Sequence, residues 1–279
     1  MTRLGSTGRQ KGADDSMAKQ IALTAESKKT ALKNRQPYER VVGTLAQQIF
    51  FSHVKPGFKL PTERQLVEEL HVDRSSLRVG LKHLEAMGVL DIRQGDGIYV
   101  KDYLKNAGIE FVATLFEQLR YGSPEADIDE YFMEECWQFW GGVLPEILKI
   151  AIQRMTPRNA KAVMDMLDEE LADIGDKDRI IELELASQDY VAEIAGNVLY
   201  MLLTNTARPI RHKMVELFVR GADEDMLREH LHFKKDLIRK IMLAPDRTGF
   251  AEQYRDHLKS LRKLLREKYY TAQEEAASE

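Results

Sequence analysis

The chain has 279 residues, 43% of them hydrophobic, enough to bury one large core or two ordinary ones. Its longest uncharged apolar run, residues 194–207, holds two asparagines and is too short to span a bilayer, and the N-terminus has no apolar signal-peptide core; both point to the cytoplasm and away from a membrane. The net charge of -4 is unevenly spread, +5 over residues 1–35, zero over 36–102 and -9 over 103–279, a distribution compatible with nucleic-acid contact at one end only.

Residues 1–35 read as a flexible basic tail, small, polar and charged, in which Met17 could be the true start. Beyond it, Val41, Val42, Leu45, Ile49 and Phe50 recur at helical spacing up to a Pro56-Gly57 turn. A second helix starts at Thr62, whose spacing to Gln65 is that of a capping box, and runs to about His71. A third starts at Asp73, a favoured N-cap, and stops at Gly88. Its apolar stripe is Leu77, Gly80, Leu81 and Leu84, with Gly80 allowing close approach of another helix. Arg74, Ser75, Arg78 and Lys82 lie on the opposite face. Leu90 and Ile92, then Ile98 and Val100, alternate with polar residues around a Gln94–Gly97 turn, which predicts a two-stranded wing.

Helix, helix-turn-helix and wing in that order predict a winged helix-turn-helix over residues 36–102. A helix entering the major groove needs small or cationic residues in its first turn, and Arg74, Ser75, Ser76 and Arg78 meet that demand. From residue 103 to 279 there is no strand-like alternation. About seven helices are expected, at 103–121, 127–154, 158–173, 178–195, 197–219, 223–242 and 247–272, forming an antiparallel bundle. The fold class is therefore mainly α. Leu258, Leu261, Leu264 and Leu265 are expected to close the bundle from the last helix. Cys136 cannot form an internal disulfide, and its neighbours Glu134, Glu135 and Trp137 include no cation to activate a thiol; it reads as core.

The segment "LPTERQLVEELHVDRSSLRVGLKHLEAMGVLDIRQGDGIYV" resembles the DNA-binding domain of the GntR family of bacterial transcription regulators, with Asp73 where the family often has Ser or Thr. The resemblance implies that Arg64, Arg74, Ser75, Ser76 and Arg78 contact bases or phosphates of double-stranded DNA, and that Gln94 and Gly95 approach the minor groove from the wing. It also implies a repressor-like regulator binding a near-palindromic operator as a homodimer. The helical half, with "VKDYLKNAGIEFVATLFEQL" and "AGNVLYMLLTN", resembles the FadR-like branch, in which the bundle binds an effector.

Many members of that branch hold a divalent metal through one Asp and three His. Alignment on Gly196-Asn197 puts Glu184 and Gln188 at the first two positions, and His230, or possibly His232, and His257 near the others. Gln is a poor ligand, so a three-ligand set of Glu184, His230 and His257 is the most that remains. No Arg stands at the turn of the helix 128–154 that corresponds to the one from which metal-dependent members meet a carboxylate effector, which disfavours a small organic acid. Trp137, Phe139, Trp140, Leu144, Tyr190 and Tyr200 could instead line an apolar pocket for a fatty acid or acyl-CoA, with Glu184, Gln188, His230 and His257 as its polar members. Two alternatives stay open, a metal-dependent sensor of a small carboxylate and a bundle that only dimerises. An enzyme using Glu184, His230 and His257 is not expected, because no second catalytic carboxylate stands at a convincing spacing and the winged helix would be unexplained.

Overall fold

The computed structural model describes residues 36–121 and 130–278, so the basic tail lies outside the described residues. The chain divides into two compact units between Asp127 and Ile128.

In the first unit, helix α1 (Pro37–Phe51) starts at the fixed φ of Pro37, with a capping box between Gln36 and Glu39. Helix α2 (Glu63–Leu70) is capped as its sequence requires: the backbone N–H of Gln65 donates to the Thr62 hydroxyl, and that of Thr62 donates to the Gln65 side chain at 2.9 Å. His71, at φ 50°, turns the chain from α2 toward helix α3 (Arg74–Ala86). Asp73 caps α3, accepting the backbone N–H of Ser76 at 2.9 Å and its hydroxyl at 2.6 Å. Leu77, Leu81 and Leu84 are fully buried, each contributing about 1.5–3 kcal/mol. Gly80 meets α1 so closely that a Cβ there would lie 2.7 Å from a Val41 methyl.

Strands β1 (Leu90–Arg93) and β2 (Gly97–Val100) pair antiparallel, with Leu90 opposite Val100 and Arg93 opposite Gly97. Gly88, at φ +79°, makes the turn from α3 into the wing with the Asn106 carbonyl so near that a Cβ would sit 2.3 Å from it. The helix expected over 103–121 is two: α4 (Tyr103–Asn106) ends with Ala107 in extended conformation, and α5 (Ile109–Tyr121) begins beyond Gly108. Helix α5 packs on α1, burying Phe111, Leu115 and Phe116 inside the winged unit, although the sequence grouped it with the helical half.

The second unit has seven helices among the described residues: α6 (Glu130–Arg154), α7 (Pro157–Ala172), α8 (Lys177–Ala195), α9 (Val198–Thr206), α10 (Arg208–Gly221), α11 (Glu224–Leu243) and α12 (Phe250–Ser278). Helix α6 packs on α8 and α12, α8 also on α7 and α10, and α11 on α7. The helix expected over 197–219 breaks at Ala207, because Pro209 in the first turn of α10 has no N–H with which to continue α9. Helix α9 leaves Val198, Leu199 and Leu202 exposed. Of the leucines expected to face inward from the last helix, Leu261 is buried and Leu264 is exposed. Cys136 is buried, and burial with the nearby Glu135 charge pushes its thiol up to about 12. No helix among the described residues is long and apolar enough to cross a membrane.

Candidate functional site

The expected site residues gather in two places, one in each unit. On α3, the face opposite the buried stripe presents Arg74, Ser75, Arg78, Val79 and Lys82, all exposed. Arg74 has no protein partner among the described residues. Arg78 donates through Nε to Glu63 at 2.9 Å, Arg64 donates to Glu68 on its own helix, and Lys82 to Glu85. Ser76 is the exception: its hydroxyl is spent on Asp73, so it serves the cap more than the surface. Hydrogen bonds to Ser76 hold the Asp73 carboxylate below its usual range, so it stays charged at the positive end of α3. Gln94 and Gly95 stand exposed at the wing tip, Gly95 at φ +77° with open space around it. Arg93, beside them, bonds to Asp91 and lies over the Tyr99 ring at 4.4 Å. Val79 escaped the sequence reading, which looked for polar residues; it is the one large apolar residue exposed on this face, 42% accessible.

The second place is a cavity of about 320 Å³ among α6, α8, α10, α11 and α12. Its apolar wall includes Trp137, Trp140, Leu144, Met214, Phe218 and Leu261, with Glu184, Gln188 and His230 as polar members. A smaller cavity of about 60 Å³ adjoins it, sharing Leu144, Glu184, Gln188 and Tyr254 and adding Lys234. Of the expected pocket residues, Trp140, Leu144, Glu184, Gln188 and His230 line the larger cavity. Tyr190 does not, because its hydroxyl turns to accept from Asn159 at 3.0 Å. Tyr200 sits half-buried on α9, away from the cavity, and Phe139 is exposed. His257 lies behind the wall, its ring 3.8 Å from that of Phe233 and its Nε2 2.9 Å from His230 Nδ1.

The metal-ligand set expected from Glu184, His230 and His257 is not assembled. Among the described residues no three His, Cys, Asp or Glu side chains are grouped to hold a metal. One Glu184 oxygen takes a hydrogen bond from the Lys234 ammonium at 2.6 Å, and the other accepts from the Gln188 amide at 3.1 Å. Burial opposes the charge on Glu184, but the Lys234 ammonium outweighs it and holds the carboxylate well below its ordinary range. Burial, then the same ammonium, drives His230 down to about 3 and His257 to about 4, so the imidazole pair is neutral. Glu170 is fully buried with neither carboxyl oxygen hydrogen-bonded, and burial raises it to about 8.

The absence of an Arg at the expected turn concerns α6 alone. Helix α12 supplies three cations to the cavity wall, Arg255, Lys259 and Arg262, spaced i, i+4, i+7 along one stripe. Each has an acidic partner: Arg255 bonds Glu146 at 2.7 Å, Lys259 bonds Asp256, and Arg262 bonds Glu134. Deeper in the unit, Arg211 is completely buried, clamped on Asp189 at 2.6 and 2.7 Å, with its guanidinium 5.4 Å from the Trp140 ring.

The family profile described as "Bacterial regulatory proteins, gntR family" matches residues 37–100, the span of the capped helices and wing. Residues 37–100 are a GntR-family helix-turn-helix regulator domain. Over 172 residues it is 29% identical to the HTH-type transcriptional regulator Mce2R of Mycobacterium tuberculosis, covering 61% of this chain and 68% of that one. Over 179 residues it is 25% identical to the fatty acid metabolism regulator protein of Shewanella halifaxensis, covering 64% and 71%. Among solved structures, Escherichia coli McbR/YncC aligns with a TM-score of 0.46 at 15% identity, over 84% of this chain and 99% of that chain. Both of these relatives are described as regulators.

Proposed function

We propose that this GntR-family protein is a cytoplasmic repressor that binds a near-palindromic operator as a homodimer and is gated by an amphipathic acyl effector, a fatty acid or acyl-CoA, held in the helical unit. The observation that carries the effector reading is the cavity itself: an apolar body of about 320 Å³ with three α12 cations on its wall. Apolar walls suit a hydrocarbon chain, and Arg255, Lys259 and Arg262 suit the anionic end it carries. The likeness to a fatty acid metabolism regulator over both units supports the same class.

At the DNA, Arg74 and Ser75 would meet base edges in the major groove, Arg64, Arg78 and Lys82 phosphates, and the Gln94-Gly95 tip the minor groove. Val79, between Ser75 and Lys82 on the outermost line of α3, would meet a thymine methyl. Two copies would set their recognition helices about 34 Å apart on successive major grooves. Effector binding with a coupling of about 1–3 kcal/mol would change operator affinity roughly 5- to 150-fold.

Trp137 and Trp140, the two tryptophans of the chain, both line the cavity, so intrinsic fluorescence reports its occupancy. Titration with a series of fatty acids and acyl-CoAs should give a saturable change that strengthens with chain length up to a limit and is weakened by Arg262→Ala. Flat titrations, together with operator binding insensitive to every acyl species, would leave the bundle as a dimerisation unit only.

A further inference from the structure

The branch that the helical half resembles implies a divalent metal, and the residues here do not fit one. Both oxygens of Glu184 are committed, one to Lys234 and one to Gln188, and the two imidazoles are bonded to each other. The ammonium stands at Glu184, where it would repel an incoming dication. Five helices place charged, titratable or polar groups around this point: Glu170 from α7, Glu184 and Gln188 from α8, Arg211 from α10, His230 and Lys234 from α11, and Tyr254 and His257 from α12. Of the two buried cations here, Arg211 is bonded to Asp189, and Lys234 is the one whose hydrogen bond offsets the buried carboxylate that would otherwise need a metal.

We propose that Lys234 is a built-in cation doing the electrostatic work of a metal, so that the helical unit folds and binds its effector without one. The arrangement needs no bound ion to neutralise Glu184. It also accounts for Gln at position 188, since an amide that donates to a carboxylate is useful beside a lysine and poor beside a metal. The inference stands on these contacts whether or not the effector is an acyl species.

The test uses the full-length protein as purified. Metal analysis should find far less than one divalent ion per chain, and neither EDTA nor zinc should move the melting temperature of the helical unit. Lys234→Ala should release Glu184 beside two neutral imidazoles, so that zinc raises the melting temperature of that variant by several degrees. The rise should vanish when His257→Ala is added. Because Lys234→Ala leaves a buried charge uncompensated and could fail to fold, Glu184→Gln with Lys234→Met supplies the second measurement. That neutral pair should melt closer to the parent than either single variant and ignore zinc. Stoichiometric metal in the parent, or a parent destabilised by EDTA, overturns the proposal, as does a double variant no more stable than the singles.

Discussion

The guanidinium of Arg78 is held 2.9 Å from the carboxylate of Glu63, which ties a cation of the recognition helix to the first turn of the helix before it. Both side chains are largely exposed, so the pair itself adds little stability and is free to exchange partners at DNA. Arg78→Ala should therefore flatten the dependence of log K on log salt by about one, and Glu63→Gln should steepen it, as read by fluorescence anisotropy on a fixed duplex. Lost discrimination with an unchanged slope would instead place Arg78 on a base edge.

Arg74, proposed above to read a base edge, stands exposed in the first turn of α3 without a protein partner among the described residues. Arg74→Ala should cost about 1–3 kcal/mol at the operator and relax preference at one position per half-site. The helical unit should melt unchanged. Footprints with intact specificity would move the role to another residue.

Val79 offers a chemical test through thymine. Replacing operator thymines one at a time with deoxyuridine removes single methyl groups. One position per half-site should weaken binding about fourfold, the value of burying one methyl group. The Val79→Ala variant should bind the two duplexes equally; retained sensitivity would show another contact at that methyl.

The buried titratable groups set a pH optimum for the helical unit. The unfolded chain protonates His230 and His257 near 6.5, the folded one only near 3 and 4, so stability drains away as pH falls through that window. Glu170 works oppositely: folded, it keeps its proton up to about 8, against 4.5 unfolded, so stability falls as pH rises across that range. Denaturant midpoints should peak near about pH 6.5. Glu170→Gln should remove the alkaline decline and steepen the loss between about pH 6.5 and 4.5, where the Glu170 proton partly offsets the two histidines.

Gly80 has no room for a side chain against Val41. Gly80→Ala should destabilise the winged unit by about 1–3 kcal/mol in denaturant unfolding, despite alanine's better helix propensity.

Local backbone chemistry made the winged unit legible. Thr62 with Gln65, Asp73, and Gly88 each mark a helix end by what their own atoms can or cannot do, and the hydrogen bonds form where the spacing places them. The helical unit was less legible because its decisive contacts join helices far apart in sequence. Lys234 lies four residues after His230 on a highly charged helix and reads as a surface cation, until α8 brings Glu184 to it across 50 residues. Arg255, Lys259 and Arg262 read as the solvated side of α12, yet the cavity lies against them. The one available signal was their i, i+4, i+7 spacing. Pro209 was a local signal for the break at Ala207, masked by the apolar run before it.

Helix α5 fixes where the DNA-binding half can be cut away. Phe111, Leu115 and Phe116 fill the groove along α1 that backs the recognition helix. A fragment stopped at Asp102, after the last residue of the wing, would bare that groove to water and should aggregate or melt early. One carried through Tyr121 keeps its own stopper and is the shortest piece with a reason to read DNA alone.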